Sequence, residues 1–355
     1  MAAAARMTLK YIAGRLSLSV TTVSRVLNGQ ARQYRISEKT EAAVRQLAAE
    51  VNFSPNRVAR GLRLNKTESI GVVIPDVSNP FFAGIVRQIA LGARGCHYSV
   101  IVCDSQETEE LEIESLDLLR SRGVEGIVLC PVGRSAEHLV RFEEGDLPIV
   151  LADRYFPGLR LPYVVSDNFS GARVATDHLI RAGHRRIACL QGLVGTSPNE
   201  DRLRGYGEAL TAHQISLDES LIAGEGFGEQ NGYIAAKLLL KAAHEFTAIL
   251  AFSNLISLGA IRALSEEGLR IPGDISLVSF DDQPYSAYLA APMTTISQSS
   301  SEMGQIAVKL LFDRIRRPDR VVRGGILLPT SLVLRGSVRT LNESTVERDQ
   351  RHVCG

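Results

Sequence analysis

SVTTVSRVLNG, residues 19–29, is short, rich in hydroxyls and broken at Asn28-Gly29, and its fold decides how the rest of the chain is read. Ser19 is a helix-capping residue type and Gly29 a helix-ending one, so VTTVSRVLN reads as one short helix between them. Upstream, Thr8 caps LKYIAGRL, and Ser17-Leu18-Ser19 makes a short break. Downstream, Ser37 caps EKTEAAVRQLAAEVNF, whose spacing brings Ala43, Val44, Leu47, Ala48 and Val51 to one face. Two short helices across a tight turn, closed by a third, make a helix-turn-helix. The second helix of such a unit enters the DNA major groove N-terminus first, where small polar side chains reach phosphates and base edges. Val23, Val26 and Leu27 then face inward, while Ser19, Val20, Thr21, Thr22, Ser24, Arg25 and Asn28 remain for DNA. Arg25 suits a bidentate pair with guanine, and Val20 or the Thr21 methyl suits a thymine methyl. An ordinary amphipathic hairpin shares this pattern, so the stretch alone leaves both readings open.

Charge favours the first reading. Residues 1–66 hold 12 Lys and Arg against 3 acids and no histidine, a net +9, leaving 28 basic and 36 acidic residues, a net −8, for the remainder. A basic head of domain size on a mildly acidic body is the electrostatic footprint of a phosphate-backbone binder. A solvated basic tail would lack the helical pattern. The 355 residues exceed what one hydrophobic core serves, so two or three folding units are expected. No run is apolar enough to span a bilayer, and MAAAARMTLK lacks the apolar middle of a signal peptide, so no membrane association and a cytoplasmic location are expected. Cys96, Cys103, Cys130, Cys189 and Cys354 are odd in number, scattered and without metal-ligand spacing. The first four read as reduced core residues and Cys354 as a tail thiol.

SPNRVARGLRLNKTESIG follows the head. Its RVARGLR segment is too short and polar, and too weakened by Gly61, to form a stable helix alone. Beyond it, strand and helix patterns alternate: IGVVIP, a helix from Asn79 to Arg94, YSVIVCDS, a helix from Glu107 to Ser121, VEGIVLCP, a helix, LPIVLADR. After VVSDN the alternation restarts: a helix from Ser170 to Ala182, RRIACLQG, a helix around 201–213, LIAGEGF, a helix over 229–242, AILAFS, a helix over 256–267, ISLVSFDD. These are two similar parallel α/β lobes.

VTTVSRVLNG, FSPNRVARGLR, IGVVIPDVSNPFFAGIV, VEGIVL, IVLADR, VVSDN, HLIRAGHRRIACLQG, DRLRGYGEAL, LGAIRALSEEGLRIPGDISLVSFDD and APMTTISQ, in this order, make the chain resemble the LacI/GalR family of bacterial transcription regulators over nearly its whole length. The resemblance implies an all-α helix-turn-helix DNA-binding head plus an α/β two-lobed periplasmic-binding-protein-like core. It implies a head over 1–53, a hinge helix and linker over 54–68, a core over 69–339 for effector binding and dimerisation, and a flexible tail over 340–355. The first lobe would span about 69–163 and 298–326, the second about 167–293 and 327–339. A homodimer on double-stranded, pseudo-palindromic operator DNA would follow, a repressor switched by a small molecule acting as inducer or corepressor. Thr8 and the hinge residues Asn56, Arg57, Ala59 and Leu62 join the expected DNA contacts, with Leu62 placed where the family's hinge helices push a leucine into the minor groove. Three departures stand out. Ser17 replaces the usual turn glycine; QARQYR is a longer connection, similar to that of the fructose and sucrose repressor subgroup; and Ser253-Asn254 replaces the usual Asn-Asp. No leucine heptad closes the tail, which favours a dimer over a tetramer.

The same resemblance assigns the effector cleft to Asp76, Phe82, Asp153, Arg154, Asp167, Arg202, Phe227, Ser253 and Asp281, with Arg202 expected just ahead of the RGY helix. These follow strand C-termini, where open α/β sheets bind ligands. Carboxylates, arginine and aromatic faces suit a polyhydroxylated ring, so a sugar is expected, with a sugar phosphate or nucleobase-like ligand as the other classes. No cofactor or metal is expected: GEGFGEQNG lacks the third glycine and acidic partner of a dinucleotide loop, and His178 and His184 have no clustered third ligand. No GxSxG elbow appears. The competing readings are a transporter's sugar-binding protein, against which the basic head argues, and a carbohydrate-active enzyme using Asp281-Asp282.

Overall fold

The computed structural model describes residues 8–51, 53, 66–143, 145–242, 245–317 and 324–341. Asn56, Arg57, Ala59, Leu62 and Cys354 lie outside the described residues. The chain divides into two compact units, residues 1–67 and 68–355.

The first unit holds helices α1 (Leu9–Arg15), α2 (Val20–Leu27) and α3 (Glu38–Glu50), each begun by a hydroxyl that accepts a backbone N–H: Thr8 from Tyr11, Ser19 from Thr22 and Ser37 from Thr40. Ile12, Ala13, Val23, Val26, Ala31, Val44 and Ala48 form its buried core, with Leu27, Leu47 and Val51 half-buried around them. Ser17 occupies the left-handed region at φ 52, and Leu18 N donates back to Ala13 O at 2.9 Å, so serine takes the turn conformation that glycine favours.

The second unit is built on two six-stranded sheets. The first joins β1 (Ser69–Ile74), β2 (Ser99–Asp104), β3 (Ile127–Leu129), β4 (Ile149–Ala152), β5 (Tyr163–Ser166) and β11 (Gly325–Leu328) in the order β11-β5-β4-β3-β1-β2. Helices α4 (Pro80–Gly95) and α11 (Ser300–Arg316) bury Phe82, Ile85, Ile89, Met303, Ala307 and Leu311 against one face. Helices α5 (Glu109–Ser121) and α6 (Glu137–Val140) bury Leu116, Leu119 and Leu139 against the other. With both faces covered, β1 is buried at every position, as a parallel strand must be.

The second sheet joins β6 (Ile187–Leu190), β7 (Ile222–Ala223), β8 (Ala248–Ala251), β9 (Ser276–Phe280), β10 (Thr294–Ser297) and β12 (Ser331–Val333) in the order β12-β10-β9-β8-β6-β7, with β12 antiparallel to β10. Helices α7 (Asn168–Arg181), α8 (Ser197–Ala212), α9 (Glu229–Lys241) and α10 (Asn254–Glu266) surround it. The chain passes between lobes between Ser166 and Asn168, between Ser297 and Ser300, and between Leu328 and Ser331. Strand β5 pairs with β11 through Ser166, and Leu328 is the last β11 residue in that pairing, so both strands complete the first sheet before the chain crosses. Helix α8 begins at Ser197, ahead of Arg202, so Arg202 lies within the helix and not before it.

Candidate functional site

Loops at the C-terminal strand ends of both lobes meet around a cleft of about 310 Å³. Phe82, Asp153, Arg154, Arg202, Phe227, Ser253 and Asp281 line it, as do Asn79, Phe81, Pro198 and Gln298. Asp76 and Asp167 do not. Asp76 turns its carboxylate onto Ser78, accepting from the backbone N–H at 2.7 Å and the hydroxyl at 2.6 Å, and Asp167 caps α7 through Ser170 N at 2.9 Å. Short acidic side chains directly after a strand satisfy the next turn's N–H groups first, which motif position alone does not reveal.

Each lobe supplies one buried aspartate in the left-handed conformation right after a strand: Asp153 at φ 66 follows β4, and Asp281 at φ 69 follows β9. Burial pushes Asp153 up to about 6, with Arg154 and Arg202 pulling the other way. Burial raises Asp281 as well, against Arg202 and the Gln298 amide that donates to it. Arg202, 3% exposed, donates from Nε to Asn168 Oδ1 at 2.8 Å and from Nη1 to Phe252 O, with its guanidinium 4.1 Å over the Phe280 ring. Burial pulls its pKa down, opposed by Asp281 and Asp153. Protein acceptors thus fix Nε and Nη1 of a fork that borders the cavity.

Arg154 is gripped in the same way. Glu107 takes its Nη1 and Nη2 at 2.9 and 2.8 Å, and the guanidinium sits 5.0 Å over Phe227. Its Nε is 3.6 Å from Asp153, an ion-pair distance beyond hydrogen-bond range, and neither it nor the buried Gln298 Oε1 has a hydrogen-bond partner among the described residues. Glu107 was not foreseen: it reaches the site from the β2–α5 loop, where Gln106 and Glu107 both take positive φ, at 50 and 56. Gln298, at the end of the quoted APMTTISQ stretch, and Asn79 and Phe81, within IGVVIPDVSNPFFAGIV, line the cleft without having been assigned to it. The Ser253 hydroxyl is committed to protein, donating to Phe227 O at 2.9 Å and accepting from Ile256 N at 3.1 Å. Its neighbour Asn254 bridges the lobes, donating to Asn79 Oδ1 at 3.2 Å. Gly192 lets Phe227 lie where it does, since a Cβ there would stand 2.1 Å from the ring.

On the first unit, Val20 and Thr21 stand exposed on the first turn of α2. Ser19 and Thr22 pair through their hydroxyls at 2.8 Å, and Asn28 Nδ2 donates to Ser24 O and Oγ at 2.7 and 3.2 Å. Arg25 is half-buried, its guanidinium 3.7 Å over the ring of Tyr34. Tyr34, from QARQYR, went unassigned in the sequence because nothing in its spacing pairs it with Arg25.

Residues 8–56 match the family described as bacterial regulatory proteins, lacI family, and residues 176–338 match the periplasmic binding protein-like domain. The ribose operon repressor of Haemophilus influenzae is 32% identical over 339 residues, covering 94% of this chain and 99% of the relative. The lac repressor dimer bound to operator and the anti-inducer ONPF superposes with a TM-score of 0.81 at 29% identity, covering 94% of this chain and 99% of that one. A LacI family transcriptional regulator from Enterococcus faecium with bound ribose gives 0.68 at 30% identity, covering 77% of this chain and 100% of that one.

Proposed function

The chain belongs to the lacI family of bacterial regulatory proteins, and we propose that it is a ligand-responsive repressor that binds operator DNA as a homodimer and is switched by a neutral sugar in the cleft. The helix-turn-helix and the full-length relatives set it apart from a transporter's solute-binding protein. The repressor acts in the cytoplasm, where its operator is. Regulation, not hydrolysis, is its role: Asp282 pairs with Arg335 at 2.6 Å and accepts from the Thr295 hydroxyl at 2.8 Å, so Asp281-Asp282 is not a free acid–base pair.

The charge balance of the cleft carries the sugar reading. Two buried guanidinium groups, Arg154 and Arg202, answer three carboxylates, Asp153, Asp281 and Glu107. A phosphate would enter with no positive charge to spare and would lose its hydration. A neutral polyol brings donors for Asp153, Asp281 and the unpartnered Gln298 Oε1, acceptors for the arginines, and an apolar ring face for Phe82 or Phe227. Residues of both lobes line the cleft, so an effector bound there can favour one arrangement of the lobes over another, and we propose that this motion sets the spacing of the two hinge segments on DNA. Leu62, by this reading, wedges into the minor groove, so Leu62→Ala lowers operator affinity and bending and leaves effector binding intact.

A thermal-shift panel of neutral monosaccharides including D-ribose, their phosphates, purine bases and nucleosides tests the ligand class. A neutral sugar at about 100 times its Kd stabilises the core by roughly 2.7 kcal/mol, while its phosphate does not. Stabilisation by the phosphate or the base instead overturns the reading. Arg202→Ala and Asp281→Ala should each abolish the effector response in a gel-shift titration and leave operator affinity within a few-fold.

A further inference from the structure

The connection QARQYR, residues 30–35, is longer than a turn between two helices needs, and the DNA-binding reading above leaves it without a task. It is nevertheless well anchored. Ala31 is 2% exposed in the core of the head, Gln30 N donates to Arg25 O at 2.9 Å, Tyr34 N to Gln30 O at 3.1 Å, and Ile36 N to Ala31 O at 2.9 Å. Arg35 is held in the left-handed region at φ 52. So tethered, the loop delivers an exposed tyrosine, Tyr34, against the guanidinium of Arg25, 3.7 Å from the ring centroid.

We propose that Tyr34 is a positioning residue for DNA recognition, holding the Arg25 guanidinium flat and pre-aimed so that its N–H edge reads one base pair of each half-site. The inference rests on the reading of Arg25 as a base-contacting residue. Stacking occupies only the π face of a guanidinium; its five N–H bonds lie in the plane and remain available to a bidentate acceptor such as guanine O6 and N7. The ring also removes rotamers that a free arginine would lose on binding, so base discrimination increases without any new contact to DNA. Tyr34 would therefore act on sequence preference, through one position, and not on the charge-driven part of affinity.

Selection from a randomised double-stranded DNA pool by the full-length protein tests this, with Tyr34→Leu, Tyr34→Phe and Arg25→Lys beside the wild type. The expected result is that Tyr34→Leu weakens preference at one symmetric position by roughly two- to fivefold, the range an exposed cation–π contact supports. Arg25→Lys flattens that same position, and Tyr34→Phe, which keeps the ring, restores it. The slope of log affinity on log salt should stay unchanged in Tyr34→Leu, since no phosphate contact is removed. If Tyr34→Leu selects the wild-type motif unaltered while Arg25→Lys does not, or binds more tightly because the ring was keeping Arg25 off the DNA, the proposal is wrong and the Arg25 reading stands. If Arg25→Lys selects the wild-type motif as well, the Arg25 reading fails and the proposal with it.

Discussion

On the proposed function, ligand binding and protonation meet at Asp153. Burial holds its carboxyl at about 6, above an ordinary aspartate, so between the unfolded value and 6 the folded chain binds the extra proton. If a sugar hydroxyl donates to the ionised form, as proposed, ligand and proton compete. Effector affinity should be steady above pH 7 and fall by up to about tenfold per unit as the pH drops below 6; isothermal titration of the effector across pH 5 to 8 checks this, and a flat profile would remove Asp153 from the ligand's contacts. His184 titrates with the opposite sign. It is buried between Thr247 and Arg339 O, and burial lowers its pKa to about 4, so the stability it supports is present above its unfolded value and is lost as the pH falls from about 6.5 towards 4. At this scale the sequence was partly legible: Asp153, Arg154, Arg202 and Asp281 stand right after strands or in the motif that follows one. Glu107 was not, because its contact with Arg154 depends on two consecutive left-handed residues folding a loop back across the lobe, and Asp76 and Asp167 stand away from the cleft lining because a capping carboxylate and a cleft-lining carboxylate occupy the same place in a strand-loop-helix pattern.

At the scale of the element, strain and close approach are the testable features. Ser17 holds the turn of the helix-turn-helix at φ 52, which costs an L-residue on the order of 1 kcal/mol. Ser17→Gly should relieve it and slow hydrogen exchange of the Val23 and Val26 amides about fivefold in the full-length chain, as global opening of the head becomes rarer; unchanged or faster exchange would mean that the turn carries no strain. Gly192 is the opposite case, an open place that a neighbour fills. A methyl there meets the Phe227 ring at 2.1 Å, so Gly192→Ala should displace the ring and cut effector affinity by about tenfold or more, measured by titration with the sugar that scores in the thermal-shift panel. Helix and strand order was readable because apolar periodicity switches cleanly between the two repeats, and the caps Thr8, Ser19 and Ser37 fixed the head's helix starts. The start of α8 was misjudged because Ser197-Pro198 begins a helix under a loop-like Gly-Thr-Ser-Pro composition.

In the whole molecule a basic head is carried on a core whose cleft sets two guanidinium groups against three carboxylates, and in the proposed function each responds to the other. With +9 on each of two heads, log affinity for duplex DNA should fall steeply with log salt, by a slope equivalent to roughly 6 to 10 phosphate contacts; a nearly flat dependence would contradict DNA as the partner. Coupling between head and cleft is read by a fluorescence-anisotropy titration of the selected duplex with full-length protein, repeated with each neutral sugar of the panel and its phosphate, for the wild type and Arg202→Ala. One neutral sugar should shift the duplex Kd of the wild type by about 5- to 150-fold, the span of typical allosteric coupling, its phosphate should not, and Arg202→Ala should bind the duplex but ignore the sugar. A duplex affinity indifferent to every neutral sugar, or one that moves equally in wild type and Arg202→Ala, would rule out a sugar-switched repressor working through Arg202.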